Sequence, residues 1–459
     1  MELPLERIQD LVTACDPQKP LLGGSPLYIQ LDRNPPVRGD RACVDLMERT
    51  ILTSRDSSCQ LFTGFPGTGK TTELRQLEYR MTEAQAPHDA FVLFVNFGEF
   101  IQRYQPIRTS DVLRVLAYCV SAEADRQEKR TCPPGESYLR KLFKLVQHSS
   151  AKAELNSVNF EALGAKLMLE IRNNTSIYKK IETAIRSRFQ SFIDDAREVI
   201  EEGIKRIQKV IGGRAKRFVI IADGLEKLDA LLPEERDSIE ASVESLFVAN
   251  GEFLKLPCHV IYTFPVWLRF RNAQIGAIYD CEPLTLPMVR VHDRRDQAFE
   301  PGLDKLYTLI SKRLDVPSEI FGKDPEGTLR PLLQASGGYP RDALRIVRTL
   351  LQREAEYPIT PDAIDREIRN LKKHYHDTVL GQYADLLRYV HRTHQLPNDT
   401  EQQLRLFGQL FSRFLVLAYR NGKEWFDLHP LVRDAPALTP APAPIPAPKA
   451  PSAELAEAE

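Results

Sequence analysis

The sequence predicts an α/β fold built on a parallel sheet, with a long helical insertion and a smaller, largely helical region after it. Three observations predict it. The apolar run Cys59-Gln60-Leu61-Phe62-Thr63 feeds a glycine-rich turn and a helix, and a second apolar run, Phe91 to Asn96, follows. Strand, helix, strand at this spacing is the βαβ unit of parallel sheets. Two further runs, Phe218-Val219-Ile220-Ile221-Ala222-Asp223 and His259-Val260-Ile261-Tyr262-Thr263, resume the sheet after an interruption from about 130 to 210. Beyond about residue 300 the apolar spacing becomes helical.

Taken in order, residues 1 to about 56 read as a lead-in with two helices and a Pro-rich turn, Asn34-Pro35-Pro36, of which 1–36 form an arm. Val37-Arg38-Gly39-Asp40-Arg41 opens an amphipathic helix running through Met47 and Ile51. The helix after the glycine-rich turn covers about Lys70 to Arg80. From Ser176 to Val210 there is no proline, and Ile181, Ile185, Phe189, Phe192, Ala196, Val199, Ile204 and Ile207 recur at helical steps. One long amphipathic helix is expected there, packing a core or an interface. Helices follow near 302–313, 326–336, 340–355 and 361–373. Asn421-Gly422 between Phe414–Tyr419 and Trp425–Leu428 is the strongest short-range signal for a hairpin. Residues 436–459 alternate Ala and Pro and then turn acidic, which reads as a disordered tail.

Composition bounds the function. The chain has 459 residues, more than one ordinary core holds, so about two or three domains are expected. No stretch approaches the roughly 18 consecutive apolar residues of a membrane span. The N-terminus carries Glu2 and Glu6 and no apolar segment, so it does not read as a secretory signal. Seven cysteines (Cys15, Cys43, Cys59, Cys119, Cys132, Cys258, Cys281) are scattered without metal-ligand spacing and read as reduced thiols in the cytoplasm. The 62 basic and 63 acidic side chains nearly cancel, which argues against a globally electrostatic nucleic-acid or membrane binder.

Gly64-Phe65-Pro66-Gly67-Thr68-Gly69-Lys70-Thr71 matches G-x-x-x-x-G-K-[ST] without a gap. Glycines let backbone N–H groups point inward around a triphosphate where a Cβ would obstruct. The helix opening at this loop adds its positive dipole end. Lys70 is expected to reach the β- and γ-phosphates and the Thr71 hydroxyl to ligate Mg²⁺, with Pro66, Thr68 and Thr72 in the nucleotide contact set. Because a strand precedes the loop and a helix follows it, ATP with Mg²⁺ is the expected cofactor; no guanine-reading N/T-K-x-D motif follows.

A phosphate-binding loop needs a second strand ending in a carboxylate to hold the hydrated metal. Asp223 ends such a strand, with no charge from Phe218 to Ala222. Glu226 is the candidate to polarise the attacking water, with Asp229 a weaker competitor. Thr263, at the end of another strand, is a candidate contact to the γ-phosphate. Arg269 and Arg271 are candidates for a phosphate in cis or in trans. Arg341, Arg345 and Arg348 share one helix face after Ser336-Gly337-Gly338-Tyr339-Pro340, with Arg341 preferred as the nucleotide-facing residue of a lid.

The loop Gly64–Thr71, the strand Phe218–Asp223 with Gly224 and Glu226, the polar strand end at Thr263 and the segment Gly338-Tyr339-Pro340 resemble the STAND class of AAA+-related P-loop ATPases, the NACHT-like signalling switches of bacteria. Gly224 after the metal aspartate, with Glu226 at the third place, matches the STAND pattern D-[small]-x-[DE] and departs from the adjacent Asp-Glu of AAA+ proteins. The resemblance covers roughly 37–435. It implies a P-loop ATPase core at 37–290 containing the insertion at 130–210, a helical lid at 291–375 in which Pro340 contacts the base region, and a small winged-helix-like domain at 376–435. Lys227 stands where a second acidic residue is usual, which implies slow or regulated hydrolysis.

Two functional readings follow from the resemblance. In the first, the chain is an ATP-binding and ATP-hydrolysing switch whose nucleotide state controls self-assembly or activation of a separate effector protein, as in bacterial antiphage defence. In the second, it is a DNA-binding AAA+ ATPase of the replication-initiator or transposition-regulator type, with the winged helix in the major groove. Balanced charge near 381–434 disfavours DNA, although Arg405, Arg413, Arg420 and Lys423 form a candidate phosphate contact. No membrane partner is expected.

Overall fold

The computed structural model describes residues 3–83, 89–131, 135, 136, 138, 139, 141, 175–212, 216–230, 232–272, 274–397 and 400–439. Helices α1 (Leu5–Ala14) and α2 (Cys43–Thr53) lead into strand β1 (Cys59–Gly64), helix α3 (Lys70–Thr82) and strand β2 (Ala90–Asn96). The helix expected to open at Val37 opens instead at Cys43, and residues 32–41 are turns. Arg38 has a buried structural task described below, which a helix would have broken.

Helix α4 (Thr109–Gln127) precedes the insertion, of which 142–174 lie outside the described residues. The single long helix expected from Ser176 to Val210 is two helices, α5 (Thr175–Ser187) and α6 (Phe189–Val210). Arg188 leaves the helical region at φ −138° and ψ 39°, and Phe189 packs edge-on against Phe253 at 5.5 Å between ring centroids. An apolar stripe at helical spacing cannot report such a break, because the stripe continues across it. Ile193, Ile200 and Ile207 of α6 share one buried core with Val112, Leu116 and Val120 of α4.

Strand β3 (Arg217–Asp223) is followed by helix α7 (Arg236–Glu244), strand β4 (His259–Thr263), short helices α8 (Val266–Arg271) and α9 (Ile275–Tyr279), and strand β5 (Leu284–Leu286). All five strands are parallel, in the order β2-β3-β4-β1-β5. Three residues between prolines are too few for a periodic signal, so β5 was not legible in the sequence. Alternation assigns the faces: Ile220 and Ala222 meet the α4/α6 side, while Val219 and Ile221 meet α2 and α3. Because the sheet is parallel, the carboxyl ends of β1, β3 and β4 lie together at one edge, where open α/β sheets place their sites.

Helices α10 (Glu300–Leu314), α11 (Pro317–Phe321), α12 (Pro325–Ala335), α13 (Pro340–Arg353) and α14 (Pro361–Thr378) follow, each with proline in its first two positions. Proline there forfeits no helical hydrogen bond and pre-sets φ. Helices α15 (Ala384–Thr393) and α16 (Glu401–Ser412) then lead to the antiparallel hairpin of β6 (Val416–Asn421) and β7 (Lys423–Leu428). The hairpin is where Asn421-Gly422 placed it, but Arg420 pairs with Glu424 rather than Lys423. Asn421 pairs with Lys423, and Gly422 between them takes a positive φ (70°), so the turn is tighter than the two-residue Asn-Gly loop.

One apolar core runs through α10–α16 and the hairpin and also takes in Leu11, Cys15, Leu31 and Phe65. The stretch after β5 stitches this assembly together: Met288 N–H donates to Ala418 (2.9 Å), Val289 N–H to Gly338 (3.1 Å) and Arg290 N–H to Val37 (2.9 Å). Of the tail expected at 436–459, residues 440–459 lie outside the described residues. Pro436–Leu438 form a turn whose Leu438 carbonyl accepts from Arg388 Nε at 3.0 Å. No helix among the described residues is long and apolar enough to cross a membrane, and the described cysteines are all free thiols.

Candidate functional site

The loop between β1 and α3 is folded around its own lysine. Lys70 Nζ donates to the carbonyls of Gly64 (3.0 Å) and Phe65 (3.1 Å), and only 4% of the residue is exposed. Gly67 has φ 88°, and a Cβ there would collide with the Arg341 guanidinium and the Tyr339 hydroxyl. The start of α13 therefore touches the loop directly: Tyr339 Oη donates to Pro66 O at 2.6 Å. Phe65 is fully buried and packs edge-on against Phe411 of α16, with 5.1 Å between centroids.

Across the loop, the Thr71 hydroxyl donates to Asp223 Oδ2 at 2.7 Å. The other carboxylate oxygen, Oδ1, is buried without a hydrogen-bond partner. An orphaned carboxylate oxygen beside a threonine hydroxyl, with a lysine nearby, is a donor set suited to a hydrated Mg²⁺ that also takes phosphate oxygens. The residues present therefore fit both groups expected from the sequence, with Thr71 and Asp223 as the metal's holders.

Glu226 lies on a single 3₁₀ turn, Leu225–Lys227, directly after the aspartate. Its Oε1 is 3.8 Å from Lys70 Nζ, and its Oε2 accepts from the Gly224 amide at 3.1 Å. Burial pushes the Glu226 carboxyl up, but the Lys70 charge and the Thr263 hydroxyl outweigh it and hold it below the ordinary glutamate value. Burial raises Asp223, with Glu226 adding to the rise, and burial lowers Lys70 against the pull of both carboxylates. Glu226 and Lys70 thus face each other as a buried ion pair.

The structure brings Pro66, Gly67, Thr68, Gly69, Lys70, Thr71, Thr72, Asp223, Glu226, Pro340 and Arg341 onto one cavity of about 980 Å³. Gly64 sits behind it, its carbonyl engaged by Lys70. Thr263 also lies behind the wall, fully buried: its hydroxyl accepts from Gly224 N–H at 2.9 Å and donates to Ala222 O at 3.4 Å. It ties the ends of β3 and β4 and positions Gly224 and Glu226. Arg269 pairs with Glu424 (2.7 Å), and Arg271 with Glu240 (2.7 Å) and Glu244 (2.8 Å), so both are engaged away from the loop. Asp229 pairs with Arg103 at 3.2 Å. Arg348 reaches Asp16 at 3.4 Å.

Sequence reasoning named an arm at 1–36 but missed its place at the site. Residues 16–31 form a wall of the cavity and are bound to α3: Leu21 N–H donates to Thr72 Oγ1 (3.2 Å) and Tyr28 Oη to Glu73 Oε2 (2.9 Å). Arg38 is 2% exposed and donates to Asp32 (3.0 Å), Glu73 and the Thr68 carbonyl (3.1 Å). These charged partners push its pKa up against the burial that lowers it. The arm is thus strapped to the loop by a buried ion network. Its one sequence signal was Tyr28 and Arg38 amid turn-forming residues, and no local pattern says what either meets.

No family model matches the chain, and no curated protein does either. Among solved structures, the Drosophila ORC bound to DNA is 12% identical, covers 94% of this chain and 91% of its own, and has a TM-score of 0.36. The Aeropyrum pernix ORC2 protein in its ADPNP–ADP complexes is 13% identical over 92% of this chain and 94% of that one, with a TM-score of 0.36. The Aeropyrum pernix ORC1 protein in complex with DNA is 12% identical over 87% and 95%, with a TM-score of 0.34. Likeness at this level carries no argument about this chain. Its fold class, a P-loop sheet with a helical insertion and a helical C-terminal assembly, stands on its own strand order and loop.

Proposed function

We propose that the chain is an ATP-binding and ATP-hydrolysing switch whose nucleotide state controls how the lid and the C-terminal helices and hairpin, read as a winged-helix-like domain, sit on the loop. Lys70 and the loop amides hold the phosphates, Thr71 and Asp223 hold Mg²⁺, and Glu226 takes the proton of the attacking water once it is released from Lys70. Bound Mg²⁺ supplies charge neutralisation at the phosphates. Pro340 and Arg341 close the lid over the nucleotide. Hydrolysis is slow, because Glu226 begins in an ion pair with Lys70 that must first open.

The observation that carries this reading is the contact of the loop with the C-terminal assembly. Phe65 of the loop meets Phe411, and Pro66 accepts from Tyr339, so a change at the phosphates is felt directly at α13 and α16. The same observation disfavours the DNA reading. Helix α16, which would enter a groove, is packed on α8, with Gly408 against Trp267 and Phe411 against Phe270 at 5.1 Å. The hairpin tip is also taken, since Gly422 N–H donates to both Asp40 oxygens at 2.9 and 3.0 Å. A role in antiphage defence rests on the family resemblance, and the output of the switch lies with a second copy or an effector protein.

The test is the molar mass of the Glu226→Gln protein by light scattering, in ATP·Mg²⁺ and in ADP, with and without duplex DNA. Assembly in ATP alone is the expected result. Assembly only when DNA is added overturns the switch in favour of the DNA-acting ATPase.

A further inference from the structure

The loop lines only part of the cavity, and the arm, α10 and α13 also contribute to its wall. Helix α10 is laced to the arm by two lysines. Lys305 Nζ donates to the carbonyls of Gln30 (3.3 Å) and Arg33 (3.1 Å), and Lys312 Nζ to those of Pro26 (3.1 Å) and Tyr28 (3.4 Å). The next residue, Arg313, turns inward and lines the cavity at 8% exposure.

Arg38 is paired with Asp32 and Glu73 and Arg75 with Glu78, whereas Arg341, like Arg313, has no ion pair among the described residues. Arg341 differs from Arg313 in place: its guanidinium lies against Gly67 of the loop. The one hydrogen bond of Arg313 among the described residues runs from Nη1 to the Leu309 carbonyl at 2.6 Å, a helix-end contact that uses one of its five N–H groups. Burial lowers its pKa, and among the described residues the Cys15 thiol, not a carboxylate, opposes that fall. A buried guanidinium without an anionic partner is costly unless something else accepts from it.

The surroundings say what accepts. Leu21, Leu27, Ile29, Leu31, Leu309 and Leu344 line the same cavity. Apolar walls with a few placed donors are how pockets hold a flat heterocycle and fix its orientation. We infer that Arg313 reads the base of the bound nucleotide, donating to an acceptor atom on the base edge. A guanidinium has donors only, so it must meet a ring nitrogen or a carbonyl and not an exocyclic amine. This inference rests on the nucleotide reading of the loop, and it makes Arg313 a specificity-determining residue that touches the base and not the phosphates.

The experiment compares the affinity of the full chain for ATP·Mg²⁺ and for inorganic tripolyphosphate·Mg²⁺ by calorimetry. Arg313→Ala is expected to weaken ATP by about tenfold or more, the worth of one charge-assisted hydrogen bond, and to leave tripolyphosphate unchanged. Arg313→Met, which keeps the stem packed, is expected to behave the same way at an unaltered melting temperature. Unchanged ATP affinity in both variants, or equal losses for the two ligands, overturns the inference. With the native chain, one of 1-deaza-, 3-deaza- and 7-deaza-ATP is expected to lose the same factor; if all three bind as ATP does, no ring nitrogen is being read and the inference falls. A native chain that binds neither ATP nor tripolyphosphate overturns the loop reading itself and this inference with it.

Discussion

Glu226 and Lys70 face each other across 3.8 Å, and Glu226 is held in place by the Gly224 amide, which Thr263 also anchors. Each of these side chains is under 6% exposed or fully buried. Glu226→Gln keeps the shape and removes the base. Its ATP hydrolysis is expected to fall by about 10²–10⁴ with binding retained, as measured by steady-state turnover and calorimetry. Turnover at the native rate would move the base to another residue. His391 shows the same logic at the other end of the chain. Its hydrogen bond to Asp427 raises its pKa above the ordinary 6.5, and burial of Asp427 is outweighed by His391 and Arg433, which lower that carboxyl. The histidine contribution is present in full below about pH 6.5 and is lost as pH rises through its raised folded value. The aspartate contribution is present above its ordinary value and is lost as pH falls through its depressed one. Denaturant midpoints of the native chain are therefore expected to fall between pH 6 and 8 by more than those of His391→Asn. Equal pH slopes would remove His391 as the cause.

At the scale of elements, α16 meets the loop through Phe411 on Phe65. Phe411 is 1% exposed and touches Phe65, Phe270, Phe407 and Phe426. Phe411→Ala is expected to cost about 3–5 kcal/mol of stability in a denaturant titration. It should also raise the rate of nucleotide exchange, since the loop loses its clamp. A destabilised variant with native exchange kinetics would mean that the contact is packing alone. The buried triad of Tyr375, Asp342 and His429 ties the same C-terminal segment to the first turn of α13, with Tyr375 Oη donating to Asp342 at 2.7 Å and His429 Nε2 at 3.4 Å from it. The hairpin and the segment before α13 are joined by a polar contact as well, since Tyr419 Oη donates to the Gly337 carbonyl at 2.6 Å.

For the whole molecule, a core continuous from the loop to the hairpin predicts that nucleotide stabilises both ends together. Of the two tryptophans, Trp425 is buried within the hairpin and reports that end, while Trp267 of α8 sits at the contact with α16. In a Trp267→Phe protein at ATP concentrations about 100 times Kd, the Trp425 transition should gain about 2.7 kcal/mol, matching the gain seen by circular dichroism. Lys70→Ala should abolish both shifts along with binding. A Trp425 transition indifferent to nucleotide would uncouple the C-terminal assembly from the loop and remove the basis of the switch.

The strands β1 to β4, the loop and the pair Asp223 and Glu226 were legible because each is local: apolar runs, a gapless motif and a strand ending in a carboxylate are written in consecutive residues. The hairpin was legible for the same reason, although its register depended on which residue takes a positive φ. The break at Arg188, the partners of Arg269 and Arg271, and the burial of Thr263 behind the cavity were not legible, since each depends on a residue tens of positions or more away. The arm is the clearest case. Its residues 16–38 carry no periodicity, and only folding brings Tyr28 and Arg38 to Glu73 and Arg313 to the same cavity. The sequence by itself determined the sheet and the glycine-rich loop on which the proposed phosphate binding rests, because hydrophobic period and loop stereochemistry are set by near neighbours. Tertiary structure alone decided which charges are paired, which wall closes the cavity and that the C-terminal helices rest on the loop, because those outcomes are settled by burial.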